Sequence, residues 1–237
     1  MPTAKKILLI STLVFSTLIL SVCSSSKNAS SPNSETVSQQ KAEQPSKAEL
    51  EEIYWARIDS SKMNFTEADV KFMTGMIGHH AQALIMSRLA PENNASSQVQ
   101  TLAARIINAQ KDEIATMQTW LRDRGQSVPE VHIDGLKLMI HGTGMDHSNH
   151  MNMAGMLSQE QLVELSNAKG KKFDELYLKY MIQHHQGAVT MVQTLINTDG
   201  AAQDEQAFRL STDINVDQIT EIERMKRMLS EIQSESQ

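Results

Sequence analysis

The chain has one cysteine, Cys23, and aromatic residues make up only 4% of it. A single cysteine excludes any disulfide within the chain and any zinc site built on several thiolates. Basic residues are also short, 22 Lys and Arg against 28 Asp and Glu. No Lys/Arg stripe with interleaved aromatics is present, so nucleic acid is excluded as an expected partner. No segment alternates convincingly at a period of two, which leaves no strand in the expected fold. Nor does a nucleophile, base and oxyanion donor set stand out, so nothing points to an enzyme of that kind. What remains, 40% hydrophobic and 21% charged residues over 237 positions, is ordinary for a folded protein able to bury a core. Methionine, at 15 residues, outweighs the aromatics, and its thioether serves either as pliable core filler or as a soft metal ligand.

The N-terminus reads as an export signal. Lys5 and Lys6 precede an uncharged run from Ile7 to Val22 that ends at Cys23. Leu20-Ser21-Val22-Cys23 resembles a bacterial lipobox, although Val22 stands where a small residue is usual. Residues 1–23 are therefore expected to be a signal peptide of the lipoprotein type, anchoring the chain through Cys23 in the periplasm or cell envelope. If that Cys is not processed, the run is long enough for an uncleaved anchor. Residues 24–47, rich in Ser, Gln, Asn, Lys and Glu, are expected to be a disordered tether.

Residues 48–234 carry the folded part. Ser46 with Glu49 opens a short helix from Lys47 to about Asp59. Thr66 with Asp69 opens a second, Glu67 to about Leu89, stopped by Pro91. Ser97 opens a third, which Gly125 ends with Arg122 and Arg124 against the helix dipole. Ser158 with Gln161 starts a helical stretch to about Ile196, interrupted near Gly170. A last helix begins near Asp204 and runs to about Ile232.

A repeat organises these helices. Met76-Ile77-Gly78-His79-His80, Ala83 and Met86 align without a gap on Met181-Ile182-Gln183-His184-His185, Ala188 and Met191. Gln110, Glu113, Ile114 and Met117 align on Gln218, Glu221, Ile222 and Met225 after a three-residue shift. Each repeat is a helical hairpin, 66–125 and 158–234, and two hairpins with one apolar stripe each bury those stripes against each other. The expected fold is all-α, a four-helix bundle of two repeated hairpins.

Helical geometry of about 100° per residue places Asp69, Met73 and His80 within about 60° of Met76 on one side, with Phe72, Ala83, His79 and Met86 within about 80° on the other. Lys71, Gly78 and Gln82 lie opposite. Both histidines of each repeat thus flank an inward stripe, and the sequence leaves open whether the two helices share one site. The candidate ligands are Met76, His79, His80 and Met86 with Met181, His184, His185 and Met191. Between the hairpins, residues 132–157 pack Met and His into a Gly/Asn-rich stretch, adding Met145, His147, His150, Met151 and Met153 as candidates. Imidazole with thioether favours copper as Cu(I) or Cu(II), with zinc or silver as the other candidates. Asp69 and Asp174 read as helix-start carboxylates, and Met73, Met117 and Met225 as packing. Glu113 and Glu221 either partner a histidine or face solvent. Neither His-His pair has a Glu three residues before it, which disfavours a di-iron site.

These residues resemble a ferritin-like bacterial family catalogued as a domain of unknown function, DUF305, whose members include periplasmic copper-binding proteins of the CopM type. The resemblance is carried by Met76-Ile77-Gly78-His79-His80, by Gln110, Glu113, Ile114 and Met117 with Trp120-Leu121, by Gly155-Met156, and by Phe173-Asp174 through Gln186-Gly187-Ala188. It spans Asp69 to about Met228. It implies a ferritin-like bundle, export, and copper binding or copper resistance. The expected function is sequestration or transfer of copper in the envelope, with a copper-transfer partner or homo-oligomer as possible company. The alternatives are a metal-dependent oxidoreductase, such as one oxidising Cu(I), and a structural or interaction module. The second hairpin departs from the first where Met228 replaces Trp120.

Overall fold

Four long helices, paired as two antiparallel hairpins, make the body of the protein in the computed structural model, which describes residues 44–142 and 153–234. The elements are α1 (Lys47–Lys62), α2 (Glu67–Glu92), α3 (Ser97–Asp123), β1 (Glu130–Asp134), β2 (Lys137–His141), α4 (Gln159–Asn167), α5 (Gly170–Ile196) and α6 (Glu205–Ser234). Helix α2 packs on α3, α5 on α6, and α2 on α5. The fold is all-α and ferritin-like, with one small two-stranded hairpin added. Among the described residues no helix is long and apolar enough to cross a membrane. The signal segment, Cys23 and most of the tether lie outside the described residues, as do Met145, His147, His150 and Met151.

The caps at Thr66 and Ser158 follow the sequence, whereas α3 is capped by Ser96 and not Ser97, the Ser96 hydroxyl accepting from the Val99 N–H. Thr66 accepts from the Asp69 N–H while the Asp69 carboxylate accepts from the Thr66 N–H, closing a capping box on α2. Ser158 and Gln161 do the same for α4. The helical stretch after Ser158 is interrupted where expected, with Ala168 and Lys169 extended between α4 and α5. Helix α2, however, does not stop before Pro91. It runs to Glu92 with Pro91 in its last turn, where little of the ladder remains to be broken.

Residues 130–141 overturn the expectation of no strand. Glu130 pairs with His141 and Asp134 with Lys137, leaving Gly135 and Leu136 as a two-residue turn. Gly135 has φ +56, the conformation that such tight hairpin turns demand at their first position. Ile133 and Leu138 point toward the bundle core. His132, Met139 and His141, grouped in sequence with the Met/His-rich stretch, are therefore strand residues.

The two hairpins are tied reciprocally at their ends. Asp69 of the first hairpin accepts from the Ala202 N–H of the second at 2.7 Å. Asp174 of the second accepts from the Ser96 N–H of the first at 3.1 and 3.2 Å. Both aspartates are buried, and each satisfies a donor at or near the start of the other hairpin's returning helix.

A further tie links α3 to α6. Arg124 was expected to serve the dipole of α3. It does so, Nη1 donating to the Trp120 carbonyl at 3.2 Å, and its guanidinium also crosses to Asp204, bonding through Nε at 3.2 Å and through Nη2. The same carboxylate accepts from Trp120 Nε1 at 3.0 Å and from the Ala207 N–H at 2.8 Å, so it also caps α6. The guanidinium carbon lies 4.3 Å from the Trp120 ring centroid.

Candidate metal centre

The centre of the bundle is polar. Helices α2 and α5 run antiparallel, as the pairing of Ser87 Oγ with Tyr177 Oη at 2.9 Å at one end and the approach of Gly75 to Met191 at the other show. His79 and His184 meet between them, ring centroids 3.8 Å apart and planes inclined by 38°. His80 lies 6.4 Å from His79 and His185 lies 6.2 Å from His184, centroid to centroid. All four imidazoles have no exposed surface. The paired-histidine helices therefore build one shared cluster, on the approximate twofold axis that relates the hairpins.

Each outer histidine is held by the glutamate one helix away. His80 Nε2 is 2.6 Å from Glu113 Oε2, and His185 Nε2 is 2.7 Å from Glu221 Oε2. An ionised carboxylate only accepts, so Nε2 carries a proton, and Nδ1 of both rings is buried without a partner. His79 Nε2 faces the Ala154 carbonyl oxygen at 3.1 Å and must donate to it, again leaving Nδ1 as an acceptor. Neither nitrogen of His184 has a partner. Buried polar atoms without partners are costly and uncommon, and five of them lie in this one cluster.

The electrostatics keep the two central rings neutral. Burial first, then the neighbouring His80 and His185, lower the His79 pKa to about 3. His184 is held well below the ordinary imidazole value by burial, then by His79, His185 and His80. Neutral imidazole is the form that binds metals. On the solvent side, Asp217 of α6 is held above the usual carboxylate range by desolvation and then by Glu113, Glu221 and Asp213. Both histidine-bound glutamates thus belong to one acidic surface between α3 and α6.

This arrangement makes the metal-free protein acid-sensitive. Between about pH 3 and 6.5 the unfolded chain protonates its released imidazole while the native His79 stays neutral, so the unfolded state binds more protons and stability falls as pH drops. The full contribution is present above pH 6.5. We expect the urea midpoint in the presence of a chelator to fall between pH 7 and 4, and the fall to flatten in a His79→Leu/His184→Leu variant. An equal slope in both proteins would show that the central rings do not set it.

The other candidate ligands distribute as follows. Met76 and Met181 are fully buried one turn from the histidines on α2 and α5. Met86 lies further along α2 in an apolar cluster with Tyr177 and Leu178. Met191 lies toward the end of α5, and its Cε and the Met153 Sδ approach the position of Gly75 to within 3.4 and 3.1 Å of where a Cβ would stand. Met153 and Met191 therefore sit together, at an apolar depression lined also by Phe72, Ala154 and Leu195. Among the described residues no three His, Cys, Asp or Glu side chains converge as a ready-made cage. The central rings lie face against face at a tilt of 38°, so bringing their lone pairs to one ion requires imidazole rotation.

Sequence reasoning missed the strap that covers the cluster. Residues 153–157 cross α2 and α5, and Gln82, placed by the helical wheel on the outward side, is buried beneath them. Its side chain donates to the Leu157 carbonyl at 3.0 Å and accepts from the Leu157 N–H at 2.8 Å. At the equivalent position of the second repeat stands Gly187, and a Cβ there would lie 2.0 Å from the Ala154 oxygen. Gly155, with φ +77, closes the contact from the other side. The Gly155 and Gly187 pair was a visible signal, but nothing in the sequence joined its members.

Residues 69–229 match the model of a family described as a domain of unknown function, DUF305. A DUF305 fragment from Deinococcus radiodurans is similar in structure, with 28% identity and a TM-score of 0.58, covering 70% of this chain and 98% of that one. CopM in its Cu(II)-bound form is 28% identical with a TM-score of 0.51, and covers 69% of this chain and 96% of that one. The Cu(I)-bound form of CopM gives 28%, 0.50 and the same coverage. No curated protein is similar enough to match the chain.

Proposed function

The chain belongs to the DUF305 family, and from that premise and the buried histidine cluster we propose that it is an exported copper-binding protein. It sequesters Cu(I) and Cu(II) in the cell envelope or hands them on, held to the membrane through Cys23 or its uncleaved signal. The observation that carries this reading is the convergence of four buried histidines whose Nδ1 atoms all lack partners. Copper fits them: imidazole suits both oxidation states, the thioethers of Met76 and Met181 one turn away suit Cu(I), and zinc would more usually call on cysteine. The glutamates fit as well, since a carboxylate on the far nitrogen fixes the ring and raises its basicity toward a metal. The copper-bound CopM structures support a copper-related role for this relative of theirs.

Copper titration of the purified chain followed by native mass spectrometry tests the proposal. Uptake of Cu(I) or Cu(II) is expected, with loss of the tightest equivalent when His79, His80, His184 and His185 are all replaced by Ala. Circular dichroism of that variant checks that the bundle survives. No uptake by the wild-type chain, or equal uptake by a folded quadruple variant, would sink the assignment.

A further inference from the structure

The histidine layer has an unexplained layer on each side. In antiparallel helices of equal rise, residues whose numbers have a constant sum lie level with one another. The His80 to Glu113 contact sets that register for α2 and α3, and it places Met117 level with Met76 and Gln110 level with Ala83. The His185 to Glu221 contact does the same for α5 and α6, placing Met225 level with Met181 and Gln218 level with Ala188. Across the hairpins, the His79 to His184 contact brings Ala83 to the level of Met181 and Ala188 to the level of Met76. The apolar clusters agree: Ala83, Met181 and Met225 share one, and Met76, Met117 and Ala188 share the other.

Each flanking layer therefore holds two thioethers from one hairpin, and an alanine and a glutamine from the other. These glutamines are the anomaly. Gln110 and Gln218 are 1% and 2% exposed, Gln110 in an otherwise apolar stripe and Gln218 in one whose other polar member is Ser211. Neither the oxygen nor the nitrogen of the Gln110 amide has a partner, and the Gln218 oxygen has none. A buried amide left unpaired is destabilising, and the repeat carries one at equivalent positions of both halves.

We propose that the two layers are further sites for a soft monovalent cation, Met76, Met117 and Gln218 forming one and Met181, Met225 and Gln110 the other. The thioethers bind a d10 ion such as Cu(I) or Ag(I), and the amide oxygen offsets its charge in the apolar layer. Ala83 and Ala188 are the smallest side chains of the two layers, and both are fully buried. With the histidine cluster between them, the sites make a row of three along the bundle axis. The inference rests on the copper reading of that cluster and extends its capacity from one position to three.

Silver titration of the full chain, read by native mass spectrometry, tests it. Met is replaced by Leu at nearly constant volume, so the Met117→Leu/Met225→Leu variant is expected to fold. It should bind two Ag(I) fewer than the wild type while keeping the equivalent that the four-histidine variant loses. Gln110→Leu/Gln218→Leu should weaken the same two equivalents at least tenfold and raise the melting temperature of the metal-free protein by removing the unpaired amides. An unchanged silver count and affinity in both variants would overturn the proposal, whereas a chain that takes up neither silver nor copper would overturn it together with the function on which it rests.

Discussion

Replacing Asp204 by Asn is expected to cost about 3–5 kcal/mol of stability, the range for leaving one partner of a buried ion pair uncompensated. The side chains of Arg124 and Asp204 are 0% and 2% exposed, so neither charge is relieved by solvent. The substitution keeps the shape, and its Oδ1 can keep the cap on α6, but it removes the charge and sets an NH2 donor where the guanidinium needs an acceptor. What it strands is the guanidinium, which then retains Gln206 Oε1 at 3.0 Å, the Trp120 carbonyl at 3.2 Å and the face of the Trp120 ring. The pair joins the C-terminal end of the first hairpin to the start of the last helix, so the loss should appear as a lower urea midpoint for the whole cooperative transition. An Arg124→Met/Asp204→Leu double variant should recover much of it, because apolar replacement of both partners is often neutral or better. An unfolding free energy within about 1 kcal/mol of wild type for the single variant would mean that the pair is solvated.

The second large effect is expected from Gly187→Ala. In most helices this change is favourable by about 1 kcal/mol. Here the new Cβ would meet the Ala154 oxygen at 2.0 Å and its carbonyl carbon at 2.5 Å. Both are backbone atoms, so no rotamer change relieves the clash, and the strap has to move. Moving it breaks the His79 contact with the Ala154 carbonyl and draws on the Gln82 bonds to Leu157. A net loss of about 1–3 kcal/mol is expected, the usual cost of overpacking. Gly75→Ala is the control, because the atoms it meets, Met153 Sδ at 3.1 Å and Met191 Cε at 3.4 Å, end flexible side chains. Equal stability of the two variants in chemical denaturation would refute the strap's tight seat.

The sequence made much of this protein legible, and what it left out has a common cause. Caps at Thr66 and Ser158, the break near Gly170 and the repeat were all readable because each depends on residues a few positions apart or on a direct alignment. The inward placement of His79, His80, His184 and His185 followed from helical geometry alone. That they form one cluster did not follow, because the crossing of α2 and α5 is settled by packing between segments about 100 residues apart. The same holds for Arg124, which serves its own helix end through the Trp120 carbonyl as expected but also reaches an aspartate 80 positions away. The strands at 130–141 were concealed differently: five residues a side give a short alternation, and the Met and His among them were read for their chemistry. Gln82 was placed outward because the helical wheel assumes one covered face, whereas the strap covers a second.

That strap has a consequence for how the duplicated halves diverge. Two copies of one hairpin begin as interchangeable parts, and most of their matched positions can drift together. Positions 82 and 187 cannot. A Gly at 82 would abandon the Leu157 N–H and carbonyl, and a Gln at 187 would be driven through the Ala154 peptide. Because one linking segment must lie across both helices, and can do so in only one direction, it assigns each copy a different role. The chain keeps two near-identical motifs whose histories can no longer be exchanged.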